Sequence, residues 1–213
     1  DRLLGVIRQS TMIQATQEEA ATDMQAMVGV SRDERALSSP LFAMRKRLPW
    51  LNINLLTAFL AASVVGVFEN TIAQFTALAV LLPVVAGQSG NTGAQALAVI
   101  MRGLALREIQ IRHWQRVLLK EVLAGALNGI AIAIVTGLGV MIWSQSAGLA
   151  MVIGVAMVIS MALAGLSGAA IPLVLTRLGQ DPAQSASIIL TTVTDIVGFF
   201  SFLGLATLFS TLL

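Results

Sequence analysis

Asp195 is the residue whose surroundings ask for a chemical explanation. It sits in the apolar run 182–213, and a helix starting near Ala183 carries it roughly 18 Å along its axis at about 1.5 Å per residue. If that run crosses a membrane, the carboxyl lies near the middle of an apolar layer about 30 Å thick. A charged group there costs at least about 2.5–3.5 kcal/mol. Two readings are open: a protonated acid hydrogen-bonded to a neighbouring helix, or a carboxylate lining a water-filled path. Ser187, Thr191, Asp195 and Gly198 recur at helical spacing, so one face of the helix is polar, and that stripe favours the path.

A second anomaly lies upstream. The apolar run 78–82 meets Pro83 and then Gly87-Gln88-Ser89-Gly90-Asn91-Thr92-Gly93. Proline removes a backbone donor, and glycine adds backbone freedom. A simple kink is one reading; the favoured one is a helix broken near the membrane midplane, with freed carbonyls facing a cavity. Carboxylate, carbonyl, amide and hydroxyl oxygens suit a hard cation such as Mg²⁺, Ca²⁺ or Mn²⁺. One acid per chain is sparse for a divalent ion. A two-fold dimer would bring two Asp195 to one axis, and a wide site of this kind favours Mg²⁺ held through retained waters.

The elements that must position these groups follow from composition. Of 213 residues, 56% are hydrophobic and 11% charged, with a mean hydropathy of +0.85. A soluble domain carries about a quarter charged residues, so the chain reads as a membrane protein. Zero Cys and a single His exclude a disulfide scaffold and a thiolate zinc site, and argue against a Ser-His-Asp triad. His113 is read as an exposed loop residue, and no enzymatic activity is expected. Five stretches are long and apolar enough to span a bilayer, near 49–68, 72–101, 117–143, 149–175 and 182–213.

The cations test that number. Arg2, Arg8, Arg32, Arg35, Arg45, Lys46 and Arg47 precede the first span, Arg102, Arg107, Arg112, Arg116 and Lys120 surround the second-to-third loop, and Arg177 completes the 13. Five crossings with the N-terminus cytoplasmic and the C-terminus outside put all of them on one side, as the positive-inside rule demands. Residues 1–38 are expected to be a cytosolic segment, with a helix ending at Gly29 and a linker over 31–38. Residues 39–213 form the membrane domain, opened by an amphipathic connecting helix over 39–48 with Ser39 as cap and Pro40 at its first position. The basic cluster beside Pro49-Trp50 suits anionic lipid headgroups. No cleavable signal peptide is legible, and a chain starting at Asp1 is expected to be a piece of something longer.

At these residues the chain resembles a known family. The segments Pro83-Val-Val-Ala-Gly-Gln-Ser-Gly-Asn-Thr-Gly-Ala-Gln95 and Thr191-Thr-Val-Thr-Asp-Ile-Val-Gly-Phe-Phe200 resemble the signature segments of the MgtE magnesium transporters and channels, as do the run from Pro49 to Ala61 and Asp181-Pro182. The resemblance covers residues 41–213. It implies an all-α membrane protein of five helices per subunit, a homodimer with the ion path between subunits along the second and fifth spans, and passage of Mg²⁺ with lesser Co²⁺, Ni²⁺ or Mn²⁺. It further implies that Asp195 recognises hydrated Mg²⁺, with Gly87 to Asn91 lining the same site; Thr191 joins Asp195, Asn91 and Gly87 as the candidate metal-site set. Location in the plasma (inner) membrane among lipids is implied too, and no nucleic-acid partner. Residues 1–7 resemble the closing strand of a CBS domain, most of the family's cytosolic sensor being absent from this chain. The mechanism expected is passage down the electrochemical gradient, with coupled exchange for Na⁺ or H⁺ and a non-conducting scaffold as alternatives.

Overall fold

The computed structural model describes residues 6–213, and every regular element among them is helical. The order is α1 (Gln9–Met27), α2 (Pro40–Val67), α3 (Glu69–Gln74), α4 (Ala77–Ala105), α5 (Trp114–Ser144), α6 (Ala147–Arg177) and α7 (Pro182–Leu208), with single 3₁₀ turns at Ile111–His113 and Ser210–Leu212. Among the described residues, four helices are long and apolar enough to cross a membrane: α2, α5, α6 and the part of α7 from Ser185 to Leu208. α4 matches them in length at 29 residues, but its polar middle keeps it from meeting the same test of apolarity. The strand expected over residues 1–7 falls almost wholly outside the described residues.

Local signals set the helix ends. Ser39 caps α2 by accepting from the Phe42 amide at 3.4 Å, and Asp181 caps α7 by accepting from the Ala183 amide at 2.9 Å. Each is followed by proline at the first helical position, where a missing N–H costs nothing. Gly29, just past α1, has φ +75°, a left-handed conformation that L side chains resist; a Cβ there would also strike the Trp50 ring. Residues of the connecting helix expected over 39–48 form the first third of α2, which runs unbroken through Pro49.

The second span departs further from expectation. It is not broken at Gly87–Gly93: α4 is one helix from Ala77 to Ala105, through Pro83 and all three glycines. The chain does break, but earlier, at Phe75-Thr76 between α3 and α4. Packing explains the continuity. In lipid, helices associate by close contact between small residues, and Gly93 and Gly168 bring α4 and α6 so near that a Cβ on Gly168 would meet the Gly93 carbonyl. Gly125 and Gly129 do the same for α5 against α6, a Cβ on Gly129 falling 2.8 Å from the Val158 Cα. α6 is therefore the central rod, its Val152, Ile153, Met157 and Met161 buried with Leu78 and Val85 of α4 and Phe202 and Leu203 of α7. Gly168→Val should destabilise the bundle by about 1–3 kcal/mol through overpacking. Thermal unfolding of purified protein should show a lowered midpoint, whereas Gly139→Val, which meets open space, should leave it unchanged.

Contacts along the rods give their directions. Asn54, Thr57 and Ala58 of α2 lie level with Thr191 and Asp195 of α7, and Phe68 meets Phe200 edge to face at 5.8 Å, so α2 and α7 run parallel. Ser89 reaches Thr194 while Leu97 packs on Ala186 and Leu190, so α4 runs against α7. The described cations accordingly gather at one end of the bundle.

At that end α1 and the following loop are tied down rather than acting as a free linker. Glu34, 5% exposed, accepts from Arg47 Nε at 3.0 Å, and Lys46 donates to Asp33 at 2.9 Å. Arg32 lies 3.8 Å from both Asp23 and Asp181. The Lys46 ammonium holds the Asp33 carboxyl below its ordinary value of 3.8; this clasp is therefore intact above that pH and is lost as pH falls through the depressed value. Arg47→Gln leaves the buried Glu34 without its guanidinium. Limited proteolysis should then cut the 28–38 segment faster than in the parent chain.

Candidate ion-binding site

Thirteen residues into α7, about 20 Å at 1.5 Å per residue, Asp195 opens into a cavity of about 240 Å³ lined by Asn54, Thr57 and Ala58 of α2 and by Thr191, Thr192 and Asp195 of α7. α7 supplies its three residues because positions 191, 192 and 195 share one helical face. α2 supplies Asn54 and Thr57 from a helix whose sole fully buried residue is Ala61.

The hydroxyls of this cavity are already committed as donors. Thr191 Oγ1 donates to the Ser187 and Ile188 carbonyls at 3.1 and 3.0 Å, Thr192 Oγ1 to Ile188 at 2.7 Å, and Thr57 Oγ1 to Asn54 at 2.9 Å. Each hydroxyl thus spends its proton on its own helix and turns lone pairs outward. The Asp195 carboxylate has neither a hydrogen-bond donor nor an ion-pair partner among the described residues. The walls offer acceptors: three hydroxyl oxygens, the Asn54 amide oxygen and a carboxylate. Such a lining suits a ligand rich in hydrogen-bond donors and positively charged, which describes a hydrated metal cation.

Size agrees. The 240 Å³ of the cavity is many times the roughly 10–15 Å³ that one water needs on the same measure, so an ion can enter with its waters. No group of three or more His, Cys, Asp or Glu is gathered among the described residues, and the cavity is lined by a single carboxylate, which fits an ion that keeps its waters better than a dehydrated one.

The expected site set is divided. Thr191 joins Asp195 in the cavity, but Gly87 and Asn91 do not line it. Both are exposed on the outward face of α4, and because the helix is continuous there, Gly87 contributes no freed carbonyl. The inward face of the same segment is structural: Ser89, Thr92 and Gly93 are buried, with Ser89 Oγ donating to Val85 at 3.0 Å. The polar stripe of α7 also divides. Ser187 donates to the Met27 carbonyl of α1, and Gly198 gives room to Ser89, whose Oγ lies 3.2 Å from where a Cβ would stand. Asn54, Thr57 and Ala58 of α2 and Thr192 of α7 are the lining residues that the sequence reading missed.

Comparison with known proteins follows the same residues. A family model described as "MgtE: Divalent cation transporter" matches residues 82–205, from the second turn of α4 to the last turn of α7. The chain is 35% identical over 213 residues to the magnesium transporter MgtE of Enterococcus faecalis, covering 98% of this chain and 46% of the relative. It is 34% identical over 209 residues to that of Thermus thermophilus and 31% over 211 residues to that of Bacillus subtilis, each covering 97% of this chain and 46% of the relative. The chain thus spans about half the length of the curated relatives it matches. The matched region contains both Asp195 and the polar middle of α4, and by that match the chain belongs to the MgtE family of divalent cation transporters.

Proposed function

We propose that this chain is the membrane-embedded part of a Mg²⁺ channel, acting as a homodimer that passes the hydrated ion down its electrochemical gradient. The observation that carries the reading is the acceptor-lined cavity around an unpartnered Asp195. A structural acid would have a donor from a neighbouring helix, and this one has none among the described residues.

The outer face of α4 supports the dimer. Gly87, Asn91 and Gln95 are exposed there at helical spacing, and amide groups facing lipid are costly. A two-fold copy would cover them and place two Asp195 near one axis, balancing the charge of one divalent ion. On this reading Asp195 recognises the ion's waters, Thr191 accepts from them, and Asn91 and Gly87 face the path across the axis. α4 then counts as the fifth crossing. With all cations on the cytoplasmic face of the inner membrane, the N-terminus is inside and the C-terminus outside, in accord with the positive-inside rule. Because an inside-negative potential favours a cation by about 2.3 kcal/mol per charge per 100 mV, a divalent ion needs no second driving ion.

The acceptors should tune rather than enable. Asn54→Ala and Thr191→Val each remove about one hydrogen bond to the hydrated ion, roughly 1 kcal/mol. Each should raise the Mg²⁺ concentration for half-maximal flux in proteoliposomes by roughly fivefold. An unchanged concentration dependence in both would remove the cavity from the path. Flux that requires a Na⁺ or H⁺ gradient would replace the channel by an exchanger.

A further inference from the structure

A second recess lies on the opposite side of the bundle from the Asp195 cavity, where α5 begins and α6 ends. It is a slot of about 240 Å³ lined by Trp114 and Leu118 of α5 and by Ala170, Leu173, Val174 and Arg177 of α6. The α6 residues fall at i, i+3, i+4 and i+7, one face of the helix, and Ala170, with the shortest side chain of the six lining residues, leaves the most room. Behind the slot, Leu118 and Leu173 join a packed cluster with Ile100 and Ala169. The slot is thus a formed groove, apolar along its length and cationic at its lip, and Trp114 and Val174 leave it open to the surroundings at 47% and 53% exposure.

The charge around that lip is unbalanced. Arg112, His113, Gln115 and Arg116 line a separate recess at the start of α5. The acids nearest in sequence are engaged elsewhere, Glu108 with Arg102 at 3.2 Å and Glu121 with Lys120. Among the described residues no carboxylate pairs with Arg112, Arg116 or Arg177. An apolar channel about 10 Å long from Ala170 to Arg177, ending in unpaired guanidinium groups beside an interfacial tryptophan, has the chemistry of a phospholipid reversed.

We propose that this slot holds an anionic phospholipid, with one acyl chain along Leu118, Ala170, Leu173 and Val174 and the headgroup phosphate at Arg177, while Arg112 and Arg116, in the separate recess at the start of α5, add positive charge at longer range. Guanidinium suits this role because it offers paired donors to phosphate oxygens. The apolar walls set the lipid apart from a free phosphate ion, which would have no use for them.

Trp114 is a built-in reporter. In the full chain carrying Trp50→Phe and Trp143→Phe, Trp114 is the one remaining tryptophan. Its fluorescence is followed in vesicles containing increasing fractions of brominated phosphatidylglycerol or brominated phosphatidylcholine. Half-maximal quenching should come at a fraction of the anionic lipid roughly fivefold or more below that of the zwitterionic one, since each basic residue near an anionic surface is worth about that factor. Arg177→Gln should shrink the preference by about the same factor, and Ala170→Leu, which takes up that room with the arginines intact, should remove the high-affinity component. Circular dichroism and gel filtration on each variant keep misfolding from mimicking these losses. Equal quenching by the two lipids in the parent, or a preference that survives both substitutions in folded protein, would overturn the proposal. So would erasure of the preference by excess inorganic phosphate, which would assign the arginines to a free anion.

Discussion

Asp195→Asn should abolish Mg²⁺-dependent growth in cells that rely on this chain for Mg²⁺ uptake, with the variant still present in the membrane at the parent level. The amide is nearly isosteric, so packing is preserved, and what disappears is a unit of negative charge. Across one layer of water, at about 5 Å, a carboxylate and a divalent ion attract by on the order of 6 kcal/mol at an effective dielectric constant of about 20. Even a quarter of that is tenfold in occupancy, and a dimer loses it twice. No other carboxylate stands in the cavity to compensate. Asp195→Glu keeps the charge and displaces it by one methylene, so partial growth is expected from it and none from the amide. The readout is the growth yield over a Mg²⁺ series, with membrane fractions blotted to show equal amounts of protein.

The second large effect concerns assembly. The chain has no cysteine, so a single introduced thiol is a clean probe. Asn91→Cys, on the exposed polar face of α4, should be joined to its copy in native membranes by a short bis-maleimide, because a residue near a two-fold axis faces its own mate. Leu127→Cys should not be, since Leu127 is 67% exposed on α5, away from the face that needs covering. A dimer band near completion for position 91 and none for position 127, read on a denaturing gel, is the expected result. Cross-linking at 127 with none at 91 would put the interface on the wrong side of the bundle for a shared Asp195 site.

What could be read from the chain in advance divides along a physical line. Ser39-Pro40 and Gly29 act within one turn of backbone, so their roles as cap and stop were legible, and the helices they bound lie close to where the apolar runs placed them. α4 was misread because proline and glycine carry two meanings. They loosen an isolated helix, but in a bundle the same small residues allow α6 to approach, and packing then holds the helix straight. Gly168, distant in sequence, decided that outcome, and no local pattern around Gly93 reveals it.

The site divides the same way. Asp195 was visible because a buried charge is expensive wherever its neighbours are, and Thr191 shares its helix at a spacing that local periodicity exposes. Asn54 and Thr57 come from a helix more than a hundred residues away. The available signal was two polar side chains, three residues apart in an apolar span, with nothing in their own helix to satisfy them but the Thr57 bond to Asn54. Ser187 and Gly198 show the converse: both fit the polar stripe, yet one serves α1 and the other makes room for Ser89.

The most direct test of the central claim is Mg²⁺ uptake into liposomes holding the purified full chain, driven by an inside-negative K⁺ diffusion potential with no Na⁺ or H⁺ gradient imposed. The account predicts uptake that rises with the potential in the parent and falls to the level of empty liposomes with Asp195→Asn. Parent-level uptake through folded Asp195→Asn protein would contradict it.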